Sequence, residues 1–115
     1  MIELHTQERT ERITRVALVG MLDVISVGQI ETKFMAATVA RGRDTVVDLS
    51  QLSFISSMGM GVLVTTYKGL KRRGARIVLL SPQPEVESAL RVARLQDLLP
   101  IVHGEEEVER FFVEA

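Results

Sequence analysis

The 115-residue chain contains no cysteine and no tryptophan. The first absence excludes disulfides, thiolate-bound metals and cysteine nucleophiles, and it fits a reducing compartment. One tyrosine and two histidines, His5 and His103, leave few groups for base stacking or for acid–base chemistry near neutral pH. An excess of one charge is missing too: 14 Lys and Arg stand against 15 Asp and Glu, a net charge of -1. No overall field therefore draws nucleic acid or anionic lipid. No stretch approaches the roughly 20 apolar residues that span a bilayer, and the opening MIELHTQERTERITR is too charged for a signal peptide. These absences predict a soluble cytoplasmic protein without membrane or nucleic-acid partners, and they weigh against catalysis.

What is present suffices for one core: 46% of the residues are hydrophobic, and no repeat or linker interrupts residues 1–115, which are expected to form one domain. Ile2 and Leu4, then Val16 and Leu18, alternate around the polar TQERTERITR and predict two strands joined by a hairpin turn. Ser26 and Gln29 have the S-x-x-Q spacing of a capping box, which predicts a helix starting there, with Val27, Ile30, Phe34, Ala37 and Ala40 inward and RGRD at its end. TVVDLS, Thr45 to Ser50, reads as a buried central strand. Val62, Leu63, Thr66, Tyr67 and Leu70 continue from Met58 at helical spacing, and Gly74 follows the basic KRR as a C-terminal cap. Ser57 is then the expected N-cap. ARIVLL, Ala75 to Leu80, predicts a further strand, and Pro84 opens a third helix with Val86, Leu90, Ala93 and Leu95 inward. LLPIV is a short last strand, and GEEEVERFFVEA puts three glutamates in the first turn of a fourth helix. The order predicts an α/β fold: a mixed, mainly parallel sheet with an antiparallel edge and about four helices.

The stretch FISSMGMG, Phe54 to Gly61, is the candidate site. Spacing alone is met by a helix cap at Ser57 with Ser56 in a turn. On spacing alone that capping role is the favoured reading; the alternative is a serine placed for phosphorylation, where a helix N-terminus tolerates added negative charge. A nucleophilic serine needs a base in reach, and neither histidine has motif spacing to Ser57. Gly59 and Gly61 are followed by Val62 and Leu63 rather than the Lys-Ser or Lys-Thr of a phosphate-binding loop. The glycines are read as sites of close packing, and Met58 and Met60 as adaptable apolar contacts or core. Asp23 and Asp48 could form a carboxylate pair, but further oxygen ligands for a metal are not identifiable, so structural roles are expected. Lys68, Lys71, Arg72, Arg73 and Arg76 complement a helix C-terminus rather than mark a nucleic-acid site.

Together the segments resemble a STAS domain of the anti-sigma factor antagonist type. GMLD at Gly20 to Asp23, VVDLSQLSFISSMGMGVLV, ALRVARLQDLLPIV and EEEVERFF resemble the family's motifs in order and spacing across nearly the whole chain. The resemblance implies a small cytoplasmic binding protein that is not an enzyme and holds no cofactor. Its unphosphorylated form binds a serine kinase that doubles as an anti-sigma factor and releases the kinase's target. Phosphorylation of the serine matching Ser57 ends binding, and a PP2C-type phosphatase restores it. The partner surface then comprises Asp23, Ser56, Ser57, Met58, Gly59, Met60 and Gly61. Two positions depart from the pattern: Ser56 stands where many members have Asp, and Arg94 where a glycine often precedes the leucine matching Leu95. A non-switching scaffold subunit and a nucleotide-binding STAS module are the alternatives.

Overall fold

The computed structural model describes residues 1–8 and 12–113. Strand β1 (Ile2–Glu8) pairs antiparallel with β2 (Ile13–Leu22), with Leu4 opposite Leu18. This is the expected edge; the hairpin turn between them lies outside the described residues. Helix α1 (Val24–Ala37) leads to β3 (Asp44–Asp48), which is parallel to β2, and then to β4 (Leu52–Ile55). After α2 (Ser57–Arg72) come β5 (Ile77–Leu80), α3 (Pro84–Val92), β6 (Ile101–Val102) and α4 (Glu105–Val113). Among the described residues the sheet has six strands in the order β1-β2-β3-β5-β6, and β4 pairs with the carboxyl end of β2. All pairings except β1 with β2 are parallel.

Period-2 alternation in β3 and β5 divides the core. Val47, Ile77 and Leu79 join α1, α2 and α3 through Phe34, Leu63, Leu70 and Leu90. Val46, Val78 and Leu80 face the other way and meet Val108 of α4. Buried Arg15 on β2 fixes α4 from that side by a bidentate bond to Glu105, with one N···O distance of 2.8 Å. The Glu105 hydrogen bond raises the pKa of Arg15 further. Arg76 adds cation–π contact over Phe111 and Phe112 while it pairs with Asp44.

Several helix boundaries differ from the expectation. Helix α1 starts at Val24, three residues early, because Asp23 rather than Ser26 is the N-cap. Asp23 Oδ1 accepts from Ser26 N at 2.9 Å, and Asp23 N donates to Ser26 Oγ at 2.8 Å, so the capping box runs Asp23 to Ser26 instead of Ser26 to Gln29. Ala40 falls in a 3₁₀ turn, Val39–Arg41, beyond the helix and is exposed rather than inward. Buried Thr38 closes α1 by donating Oγ1 to Phe34 O at 2.6 Å. Ala93 is an exposed C-cap of α3 and not a core residue. Gly74 ends α2 as expected: Ala75 N bonds Leu70 O and Gly74 N bonds Lys71 O, the two bonds of a Schellman motif.

Helix α3 ends by the same motif, with Leu95 N on Leu90 O and Arg94 N on Arg91 O, but here the left-handed residue is Arg94, at φ 58°. A side chain in that conformation costs about 1–2 kcal/mol, part of which glycine returns as chain entropy lost on folding. Arg94→Gly is expected to raise the unfolding free energy by up to about 1 kcal/mol in urea denaturation. A loss of stability would show that the Arg94 side chain holds the loop by other means.

Candidate functional site

The carboxyl end of β2 and the short strand β4 bring the starts of α1 and α2 together. Leu22 and Ile55 are register partners, and Ser56 N donates to Leu22 O at 2.9 Å immediately before Asp23. Helix α2 begins where the chain leaves β4. Ser56 is extended (φ -87°, ψ 170°), and its Oγ accepts from Gly59 N at 3.1 Å, while Met60 N closes the first helical turn on Ser56 O. Ser56 is therefore the N-cap, and Ser57 is the first helical residue. This corrects the expected assignment by one position. Two adjacent serines satisfy the cap preference equally in sequence; packing at Gly59 chooses between them. A Cβ on Gly59 would lie 2.9 Å from Leu22 Cγ and 3.0 Å from Ile55 Cγ1, so the backbone is seated directly on the sheet end and sets the helix register.

With Ser56 as cap, the hydroxyl of Ser57 is exposed and takes part in no hydrogen bond among the described residues. The N–H groups of Ser57 and Met58 remain as orphan donors of the first turn. Close packing holds for Gly59 only: Gly61 is exposed, with open space where its Cβ would stand. Met58 is 53% exposed, which removes it from the core, and Met60 is half-buried.

Sequence reasoning missed the rest of this surface. Met21 and Phe54 are register partners on β2 and β4, and together with Val24 and Ile25 at the start of α1 they are between 43% and 76% exposed. These exposed large apolar side chains fall together at the ends of β2 and β4 and the start of α1 rather than being scattered over the chain. The available signal was the run MLDVIS, in which Ile25 lies opposite Phe34 on a helical wheel and so off the inward-facing stripe of α1.

Other candidates lie apart from this surface. Asp48 accepts from Ser50 N and lies 3.9 Å from Arg15, whereas Asp23 is held in its capping box. No group of three or more metal-binding side chains occurs among the described residues. His5 contacts Glu3 and His103 contacts Glu87, so neither histidine addresses Ser57. In the basic cluster, Arg73 donates to Val39 O and Ala40 O, and Arg76 is engaged by Asp44. Among the described residues no helix is long and apolar enough to cross a membrane.

The reassigned cap separates the two serines by experiment. Ser56→Ala should cost about 1 kcal/mol of stability. Ser57→Ala should stay within about 0.5 kcal/mol. Urea midpoints in the reverse order would restore the cap to Ser57. The backbone hydrogen bond from Ser26, followed by that of its hydroxyl, lowers the Asp23 pKa. A depressed folded pKa means that the cap stabilises the fold above the unfolded value, about 3.9, and loses that effect as pH falls through the lower folded value. Carbon NMR titration of the Asp23 carboxyl should give a midpoint below about 3.9, and a midpoint at or above it would contradict the capping box.

The family model for the STAS domain matches residues 5–108. An anti-sigma-B factor antagonist of Staphylococcus aureus (strain NCTC 8325 / PS 47) is 28% identical over 105 residues, which span 91% of this chain and 94% of that protein. The anti-sigma factor antagonist SpoIIAA in its unphosphorylated form is 24% identical, with a TM-score of 0.78 and coverage of 98% of both chains. The Bacillus protein SpoIIAA in its phosphorylated form has a TM-score of 0.70 at 24% identity, covering 95% of this chain and 99% of that one. These two solved structures share the fold described above. With the family model matched over most of its length, this chain belongs to the STAS domain family.

Proposed function

We propose that this protein is an anti-sigma factor antagonist of a partner-switching pathway, and that Ser57 is its phosphoacceptor. The observation that carries the reading is the Ser57 hydroxyl at the start of α2, exposed and without a hydrogen bond among the described residues, followed by exposed Met58; the exposed Met21, Val24, Ile25 and Phe54 lie on the adjoining strand ends and the start of α1. Its S. aureus relative bears the antagonist name, which supports the same reading. In the unphosphorylated state the apolar surface, with Asp23 and residues 56–61, binds a serine kinase that is also the anti-sigma factor. The kinase supplies nucleotide and metal; this chain, acting in the cytoplasm, supplies the hydroxyl and no catalysis. A PP2C-type phosphatase reverses the modification.

Charge explains the switch. Phosphate adds about 1.5 to 2 negative charges, and the orphan amides at the helix start tolerate an anion with a gain of roughly 0.3–1 kcal/mol. The segments that build the surface, 16–32 and 44–67, contain no lysine or arginine. A partner packed over Ser57 would bury a charge that these segments do not pair, at a cost of several kcal/mol, where each 1.4 kcal/mol or so is tenfold in affinity. Folding is untouched while binding is lost. The N-cap role of Ser56 accounts for its departure from the common Asp, since both residues accept the N3 amide and differ in charge.

Incubation of the purified protein with its cognate kinase and ATP, followed by mass spectrometry, is expected to place one phosphate on Ser57, and Ser57→Ala is expected to accept none. Phosphate on Ser56, or phosphate that persists in Ser57→Ala, would overturn the assignment. Ser57→Asp should weaken partner binding at least about tenfold; unchanged affinity would indicate a scaffold without a switch.

A further inference from the structure

A second site lies at the other end of α2, about 20 Å from Ser57 along the helix at 1.5 Å per residue. The last turns of α2, the start of β5, the loop between α3 and β6, and α4 line an open cleft of about 270 Å³. Its apolar wall includes Ile77, Leu98 and Phe111. Three polar groups on that lining are uncommitted among the described residues. The Lys71 ammonium has only the Tyr67 ring near it, at 5.7 Å to the centroid, and no carboxylate. The Tyr67 hydroxyl makes no hydrogen bond, and Asp97, from the α3–β6 loop, pairs with no cation. Arg76, also on the lining, differs: Asp44 at 3.1 Å and two phenylalanine rings already hold it.

We propose that this cleft binds a small apolar zwitterion, of which a free α-amino acid with an aliphatic or aromatic side chain is the simplest form. Lys71 and Asp97 supply opposite charges from different elements without pairing with each other, so a ligand that carries both charges satisfies both at once. The carboxylate meets Lys71 and the Tyr67 hydroxyl, the ammonium meets Asp97, and the side chain lies on Ile77, Leu98 and Phe111. The volume, near the lower end of the roughly 300–1,000 Å³ usual for ligand pockets, fits a molecule of amino-acid size. The Arg76 contacts hold Phe111 in place before ligand arrives, which limits the ordering cost of binding.

Titration of the full chain with L-leucine at millimolar concentrations, followed by amide NMR, tests the site. The expected result is saturable shifts at Tyr67, Ile77, Leu98 and Phe111 with none at Ser57 to Gly61. Isocaproate, which lacks the ammonium, and isoamylamine, which lacks the carboxylate, should each bind at least about tenfold more weakly. Lys71→Gln and Asp97→Asn, both exposed positions, should each lower leucine affinity by a similar factor, while Lys68→Gln leaves it unchanged. Absence of saturable shifts, equal binding of isocaproate, or unaltered affinity in both site variants would overturn the proposal. Because the readout is remote from Ser57, it stands or falls separately from the phosphorylation reading.

Discussion

The seating of Gly59 against Leu22 and Ile55 is the contact on which the site depends. It leaves no room for a Cβ, with Leu22 Cγ at 2.9 Å, and so fixes both the distance of α2 from the sheet and its rotation. Gly59 N then reaches Ser56 Oγ, Ser56 N reaches Leu22 O, and the next residue in the helix, Ser57, is left outward. On the other side of Leu22, Asp23 caps α1 and Ser26 Oγ bonds Met21 O at 2.7 Å. Two helix starts and two strand ends are thereby joined by short hydrogen bonds into one support, beside which Met21, Val24, Ile25 and Phe54 are exposed.

Such a support suits a switch made of charge rather than of movement. The groups that define the backbone at the helix start are bonded to one another, and the Ser57 hydroxyl is not among them. A modification there changes what the surface presents while the bonds beneath it persist. The remaining helices contribute indirectly: α3 packs beside β4, and α4, tied by Arg15 and Arg76, closes the opposite side of the sheet.

Element order was legible because hydrophobic period changes along the chain. β-branched runs such as TVVDL and RIVLL fill strands buried on both faces, and Val62, Leu63, Thr66 and Leu70 recur at helical spacing. Boundaries were less so, since a cap is decided by which amide a side chain reaches. Asp23 and Ser26 each suit an N-cap, as do Ser56 and Ser57, and only packing distinguishes them. Strand β4 was not separated from its neighbours because LSFI has just four residues and exposes two of them. Met21, Val24, Ile25 and Phe54 escaped notice for a related reason: apolar residues at the ends of elements read as core until the neighbouring elements are placed. Family resemblance, rather than local spacing, singled out Ser57, and the corrected cap supplies the physical reason that its hydroxyl is available.

The central claim is that charge at Ser57 alters the contact surface without altering the fold. The most direct measurement compares unmodified protein with protein fully phosphorylated at Ser57, by urea unfolding and amide NMR on the same samples. The account predicts unfolding free energies equal within about 1 kcal/mol, cooperative transitions in both, and shifts confined to the starts of α1 and α2 and the end of β4. A loss of several kcal/mol, or shifts spread through the core about Phe34 and Leu63, would contradict it and point to a switch by unfolding instead.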